Sequence, residues 1–283
     1  MTVPVSVGVV GGGRMGAGIA QVFAALGAAV TIAEAADQAA ALGRVETGLA
    51  RAHERGKLDE DPAAILARVT TVAGPTDLPA DLELVVEAVP EIPSLKVEVL
   101  ALIDKTVSAS TVIASNTSSI SIAELGAALS DPSRFIGMHF FNPVPASTLV
   151  EIVRAPATSA AVVEHVREWV SLLGKTEVLV NDSPGFATSR LGVCLGLEAI
   201  RMLEEGVADA ESIDRAMELG YKHPMGPLRS TDLVGLDVRL AIAEHLASTL
   251  GDRFTPPRLL RDKVARGELG RKSGKGFHDW EKK

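Results

Sequence analysis

Val7-Gly8-Val9-Val10-Gly11-Gly12-Gly13-Arg14-Met15-Gly16 is the stretch that decides the fold. Ahead of it, Val3, Val5, Val7 and Val9 alternate and run into Val10, the pattern of a strand that ends in a buried segment. Three glycines stop the strand. Behind them Met15, Ile19, Val22, Phe23 and Leu26 recur at helical spacing, and Gly27 is placed to end the helix. Val30-Thr31-Ile32 reads as the next strand and ends at Glu34. Strand, helix and strand in this order make a βαβ unit, and such crossovers build parallel sheets.

Glycines spaced Gly11-x-Gly13-x-x-Gly16 carry little weight alone. Set between a strand and a helix, with an acid closing the following strand, they predict a dinucleotide site. Gly11 makes the tight turn, Gly13 lets the backbone approach a pyrophosphate, and Gly16 lets helix and strand pack closely. The first helical residues, Arg14 and Met15, offer free N–H groups at the positive end of the helix dipole. Glu34 decides between cofactors. Its carboxylate accepts hydrogen bonds from a ribose 2′-hydroxyl and repels a 2′-phosphate, and Ala35-Ala36-Asp37 supplies no cation to offset the repulsion. NAD is therefore the expected cofactor, in preference to NADP.

Further along, Val69-Thr70-Thr71-Val72, Leu84-Val85-Val86, Val112-Ile113-Ala114, Phe135-Ile136-Gly137-Met138, the run from Leu149 to Val153 and that from Val178 to Val180 all read as strands. Helical stretches separate several of them, as from Leu95 to Ile103, and the charged segment from Gln38 to Val69 reads as a helical insertion. After Asn181-Asp182-Ser183-Pro184-Gly185 only helical periodicity continues, to about Leu250. The expected architecture is α/β: a Rossmann-like NAD-binding domain with a mainly parallel sheet over residues 1–182, followed by an all-helical domain over residues 183–283. Leu191, Val193, Leu195, Leu197 and Ile200 of that second domain cannot be sorted into core and interface from their spacing.

Composition narrows the function. Of the 283 residues 47% are hydrophobic and 23% charged, enough to bury a core and far from the disordered range. A net charge of −8 argues against a nucleic-acid partner. Cys194 is the single cysteine, which excludes an internal disulfide and fits a reducing compartment. With no apolar run of membrane-spanning length and no signal-peptide pattern after Met1, the expectation is a cytoplasmic protein.

Oxidising an alcohol with NAD needs a base for the hydroxyl proton, and histidine titrates in the right range. Of His53, His139, His165, His223, His245 and His278, His139 is favoured because it ends a strand in the nucleotide-binding half, where open sheets hold their ligands. The others fall in charged helical or turn-like stretches. No pair has metal-ligand spacing, so no metal is expected.

Ser115-Asn116-Thr117-Ser118-Ser119 and Gly137-Met138-His139-Phe140-Phe141-Asn142-Pro143-Val144-Pro145 resemble the L-3-hydroxyacyl-CoA dehydrogenases, including bacterial 3-hydroxybutyryl-CoA enzymes. The resemblance runs on through Leu149-Val150-Glu151, Asp182-Ser183-Pro184-Gly185-Phe186, His223-Pro224-Met225-Gly226-Pro227 and Gly270-Arg271-Lys272-Ser273-Gly274-Lys275-Gly276-Phe277, and so covers essentially the whole chain. It implies His139 as the catalytic base, Glu151 as its partner, and Ser118 as a hydroxyl that contacts substrate and cofactor. It also implies Asn142 as a polar contact near the nicotinamide, with Asn116, Glu91, Lys96 and Lys272 completing the NAD site. A surface ion pair is the plainer reading of Glu91 and Lys96. The substrate implied is an acyl-CoA, and the relatives usually form homodimers through the helical domain. Arg51 and Arg55, four apart on one expected helix face, are proposed phosphate partners for CoA, against the plainer reading of a solvated charged helix.

One departure stands out. Gly185-Phe186-Ala187-Thr188-Ser189-Arg190 places Ser189 where the family usually carries Asn. Serine keeps a donor but loses reach and the second amide group. Two other readings stay open: a sugar-acid dehydrogenase of the L-gulonate type on the same scaffold, and a non-catalytic NAD-binding or structural protein.

Overall fold

The computed structural model describes residues 3–280, and the chain divides between Ser183 and Pro184 into two compact units. In the first unit the strands are β1 (Ser6–Val10), β2 (Ala29–Ala33), β3 (Val69–Val72), β4 (Leu84–Glu87), β5 (Val112–Ser115), β6 (Phe135–Phe140), β7 (Leu149–Arg154) and β8 (Thr176–Asn181). The helices between them are α1 (Arg14–Ala25), α2 (Gln38–Glu54), α3 (Pro62–Leu66), α4 (Pro93–Thr106), α5 (Ile122–Gly126) and α6 (Ala160–Leu172).

All eight strands form one sheet in the order β3-β2-β1-β4-β5-β6-β7-β8. The six from β3 to β6 are mutually parallel. Their crossover connections place helices over the sheet, so the central strands are buried on both faces and read as unbroken apolar runs. The chain then reverses. β7 runs antiparallel to β6, and β8 lies parallel to β7 at the sheet edge.

Small residues let α1 lie close on the sheet. Ala17, Ala20 and Ala24 are buried beside Ile19 and Phe23, and the helix packs against Ala41, Val45 and Leu49 of α2. Asp37 starts α2 by accepting from the Ala40 N–H at 2.8 Å, satisfying one donor that the helix leaves open. The segment that reads as one insertion is two helices, because Asp61 caps a second start at Pro62. Lys175, at the approach to β8, donates to the carbonyls of Val144 (2.7 Å) and Ser147 (2.5 Å), pinning the connection between β6 and β7. Burial pushes its ammonium pKa down.

In the second unit the helices are α7 (Thr188–Glu204), α8 (Ala210–Gly220), α9 (Pro227–Val234), α10 (Leu236–Leu250) and α11 (Arg258–Ala265). Helical structure thus continues beyond Leu250, where the sequence pattern weakened. Val193, Leu197 and Ile200 face the core with Leu228, Leu236, Leu246 and Leu260, whereas Leu191 is 70% exposed. Asp232 binds the chain's last described segment, accepting from the N–H groups of Phe277 and His278 and from Trp280 Nε1, each at 2.9 Å. Asp214 accepts from the N–H groups of Leu228 and Arg229 and pairs with His278 Nε2 at 2.7 Å. Among the described residues no helix is long and apolar enough to cross a membrane.

Arg134 and Asp104 form a buried pair at 2.6 Å, and Arg134 also donates to the Thr111 carbonyl. Burial opposes charge on Asp104, but the Ser130 N–H and the Arg134 guanidinium outweigh it and hold the carboxyl below its ordinary range. Replacing one partner leaves the other charge buried and uncompensated. Arg134→Met should therefore lower urea-measured stability by about 3–5 kcal/mol at neutral pH. The cost should shrink as pH falls and Asp104, no longer held charged by Arg134 in the variant, takes up a proton. A loss under about 1 kcal/mol would mean the pair behaves as a surface pair.

Candidate active site

Five neighbouring strands, β2, β1, β4, β5 and β6, end on the same edge of the sheet because they are parallel. The residues that follow those ends, or close them, stand in a row: Glu34 after β2, the glycine loop after β1, Glu87 closing β4, Ser115 closing β5, and His139 near the end of β6. Between β1 and β4 the strand order changes direction, and such a switch point is where open α/β sheets take ligands.

The glycine loop is a steric fit. A Cβ on Gly16 would stand 1.8 Å from the Gly11 carbonyl oxygen, and Gly11 itself has φ +99°, in the region that favours glycine. A Cβ on Gly13 would meet nothing within 4 Å, so the loop is open on the side a pyrophosphate would take. Gly13 is the N-cap of α1 and has no side chain to occupy the helix N–H groups, which begin at Arg14 and Met15. Glu34 Oε2 accepts from the Gly12 N–H and Oε1 from the Ala36 N–H, both at 2.8 Å. Burial opposes its charge, but N–H groups of Ala36, Gly12 and Asp37 and the nearby Arg44 outweigh that and hold its pKa below the ordinary value. The residues present fit a dinucleotide.

Beside the loop lies an ionic cluster, buried at Lys96 and Glu87 and open to solvent at Glu91. Lys96 on α4 is 1% exposed, so it is no surface residue. Its Nζ lies 2.7 Å from Glu87 Oε1 and 3.3 Å from Glu91 Oε2, and it also donates to the Val89 carbonyl. Glu87 Oε2 accepts from the Ser115 hydroxyl at 2.6 Å. Glu91 Oε1 accepts from the Thr117 hydroxyl and from the N–H groups of Ser118 and Ser119, at 2.6, 2.8 and 3.2 Å. The backbone that carries Ser118 is thus held by a carboxylate that Lys96 holds in turn. Asn116 Oδ1 accepts from the Phe140 N–H at 2.9 Å, tying this segment to the residue after His139.

His139 and Glu151 are direct cross-strand partners in the β6–β7 ladder. Paired residues of adjacent strands share a face, so register alone brings the two side chains together. His139 Nδ1 lies 2.8 Å from Glu151 Oε2, with the carboxylate fully buried and the imidazole 6% exposed. A carboxylate at Nδ1 places the ring's proton there and leaves the lone pair on Nε2, the form a base requires. The Phe141 ring packs on the imidazole with centroids 4.4 Å apart. Asn142, next in the chain, is exposed.

Other candidates stand elsewhere. Arg51 is exposed in the last turn of α2, and Arg55 caps that helix, one residue past its end. Ser189 and Lys272 belong to the second unit, where Ser189 lies in the first turn of α7 and Lys272 is paired with Asp237 at 2.6 Å. Sequence reading missed Glu87, Thr117 and Arg44. For Glu87 there was a signal: an acid closing the apolar run Leu84-Val85-Val86, as Glu34 closes its own strand. His278, read as part of a turn, is paired with Asp214, and nothing in the spacing announced it.

Comparison with known proteins agrees along the chain. Residues 6–183 match the family model described as 3-hydroxyacyl-CoA dehydrogenase, NAD binding domain, and residues 185–280 match that of the C-terminal domain. A probable 3-hydroxybutyryl-CoA dehydrogenase of Deinococcus radiodurans is 44% identical over 276 residues, covering 96% of this chain and 99% of that protein. Among solved structures, Mycobacterium tuberculosis FadB2 superposes with a TM-score of 0.94 at 42% identity, covering 98% of this chain and 99% of that one. The (S)-3-hydroxybutyryl-CoA dehydrogenase PaaH1 of Ralstonia eutropha gives 0.91 at 42% identity, with the same coverage.

The ionic cluster makes a testable demand. Lys96→Met would leave Glu87 and Glu91 facing each other without their shared cation, so the segment they hold should loosen. Amide hydrogen exchange at Ser118 and Ser119 should accelerate about tenfold or more. Unchanged protection there would mean that Lys96 does not hold Glu91 in place.

Proposed function

The chain belongs to the 3-hydroxyacyl-CoA dehydrogenase family, and from that premise we propose how its residues carry out the reaction. The protein is an NAD-dependent dehydrogenase that reversibly oxidises an L-3-hydroxyacyl-CoA to the 3-oxoacyl-CoA. One observation carries the assignment of roles: the buried His139–Glu151 pair at the sheet edge that also bears the glycine loop.

His139 Nε2 takes the proton of the substrate's 3-hydroxyl. Glu151 keeps the other ring proton on Nδ1 and stabilises the imidazolium that results. NAD, when bound along Gly11, Gly13, Gly16 and Glu34, supplies the hydride acceptor for the hydrogen on C3. Ser118 orients the hydroxyl; among the described residues no group bonds its own hydroxyl, while its backbone is fixed by Glu91. Asn142 is the polar contact beside the nicotinamide, and Asn116, Glu91 and Lys96 complete the cofactor's surroundings. In the reverse direction protonated His139 returns its proton to the 3-oxo oxygen.

The substrate we assign is short-chain, of the 3-hydroxybutyryl-CoA class, which both relatives named above for an activity share in their names. Exposed Arg51 and Arg55 are offered to the phosphates of CoA. The protein works as a homodimer formed through the helical unit, for which the exposed Leu191 on α7 is a contact candidate. Its setting is the cytoplasm, in keeping with one exposed free cysteine.

Purified protein should reduce NAD with L-3-hydroxybutyryl-CoA and not with L-gulonate. His139→Ala should lower kcat about 10²–10⁴-fold, the usual share of general acid–base catalysis. Near-normal turnover by that variant would remove His139 from the role of base. NAD binding with no turnover of either substrate would favour a non-catalytic protein.

A further inference from the structure

No cation follows Glu34 directly in sequence, yet the fold brings one to it. Arg44, exposed near the end of the second turn of α2, donates from Nη1 to the Gly12 carbonyl at 3.0 Å. The N–H of the same Gly12 donates to Glu34 Oε2. Carboxylate and guanidinium are therefore anchored to the two polar groups of one loop residue. The packing around Gly12 leaves little freedom: a Cβ there would lie 2.4 Å from Ala41 Cβ and 3.1 Å from Glu34 Oε2. α2, the end of β2 and the glycine loop are pressed together at this point.

Glu34 occupies the position that meets the adenosine ribose in this fold, where a carboxylate favours a 2′-hydroxyl and an arginine nearby accommodates a 2′-phosphate. Both kinds of residue are present. Among the described residues Arg44 bonds through one of its five N–H donors, to the Gly12 carbonyl, and to no carboxylate. A planar guanidinium is the side chain suited to bidentate phosphate binding. We propose that Glu34 and Arg44 jointly set the choice of cofactor: Glu34 selects the 2′-hydroxyl while its charge opposes that of a nearby phosphate-binding cation that the fold already holds in place. The inference rests on the reading of this loop as the NAD site and extends it to the discrimination against NADP. Glu34 then has two effects, repelling a 2′-phosphate and offsetting, without an ion pair, the field of the group that would bind it.

The test is nucleotide binding without turnover. Adenosine 2′,5′-bisphosphate and adenosine 5′-monophosphate are titrated calorimetrically into the parent protein, Glu34→Ser, Glu34→Gln and Glu34→Ser combined with Arg44→Met. Serine opens space beside the ribose, and glutamine keeps the shape while removing the charge. The parent should prefer the monophosphate. At least one single variant should gain about tenfold or more for the bisphosphate relative to the monophosphate, and the double variant should lose that gain. A gain that survives loss of Arg44 overturns the role of Arg44. No gain in either single variant, with the monophosphate still bound, overturns the inference and leaves the cofactor site standing. Binding of neither nucleotide by the parent overturns the cofactor site and the inference together.

Discussion

Gly16 lies so close to the carbonyl oxygen of Gly11 that a single methyl group would have to occupy the oxygen's place. That contact fixes how α1 leaves β1, and most of the first unit is built around it. It sets the helix N–H groups at the sheet edge where the five strands parallel to β1 also end. It lets α1 lie down on the sheet and meet α2 along an alanine-rich face. One turn further on, a Cβ on Gly18 would stand 2.9 Å from Val144, so α1 also touches the connection that joins β6 to β7. The cofactor loop and the strands bearing the base are thus in contact through one helix.

The site beside that loop is made largely of charge taken out of water. Glu87 and Lys96 are almost wholly buried, and Glu151 is fully so. An apolar replacement of matching volume often leaves a protein as stable or more stable, so stability alone does not account for such groups. Their geometry does. Glu91, which Lys96 holds, accepts from Thr117, Ser118 and Ser119, Glu87 accepts from Ser115 just ahead of them, and Glu151 pairs with His139. The charges order the backbone at the point where chemistry demands sub-ångström placement.

Much of the architecture was legible because it depends on local pattern. Apolar runs marked the strands, helical spacing marked α1 and α4, and the glycine loop stood between a strand and a helix as its function requires. What escaped depends on contacts between distant segments. Arg44 lies on a helix that reads as charged and solvated, and the packing of α2 through Ala41, Val45 and Leu49 brings it to the loop. Glu87 became informative once β4 was placed beside β1 and β5. Lys96 reads equally well as a surface partner of Glu91 until the sheet shows what covers it. α11 and the pairing of Asp214 with His278 belong to a unit whose helices are ordered by long-range packing, with weak local signals.

Strand reversal at β7 has its own consequence. His139 and Glu151 are partners because two antiparallel strands are in one register, and β6 and β7 alternate faces at every residue. A deletion of one residue inside either strand would set Val150 or Ile152 opposite the imidazole and send the carboxylate to the other face. The connection from Phe141 to Thr148 lies outside the ladder and carries no such arithmetic. Evolution can therefore vary that connection without breaking the dyad, within what the hold of Lys175 and α1 on Val144 allows, while the strands on either side tolerate substitution but not insertion. The dyad behaves as a property of the ladder, inherited whole or lost whole.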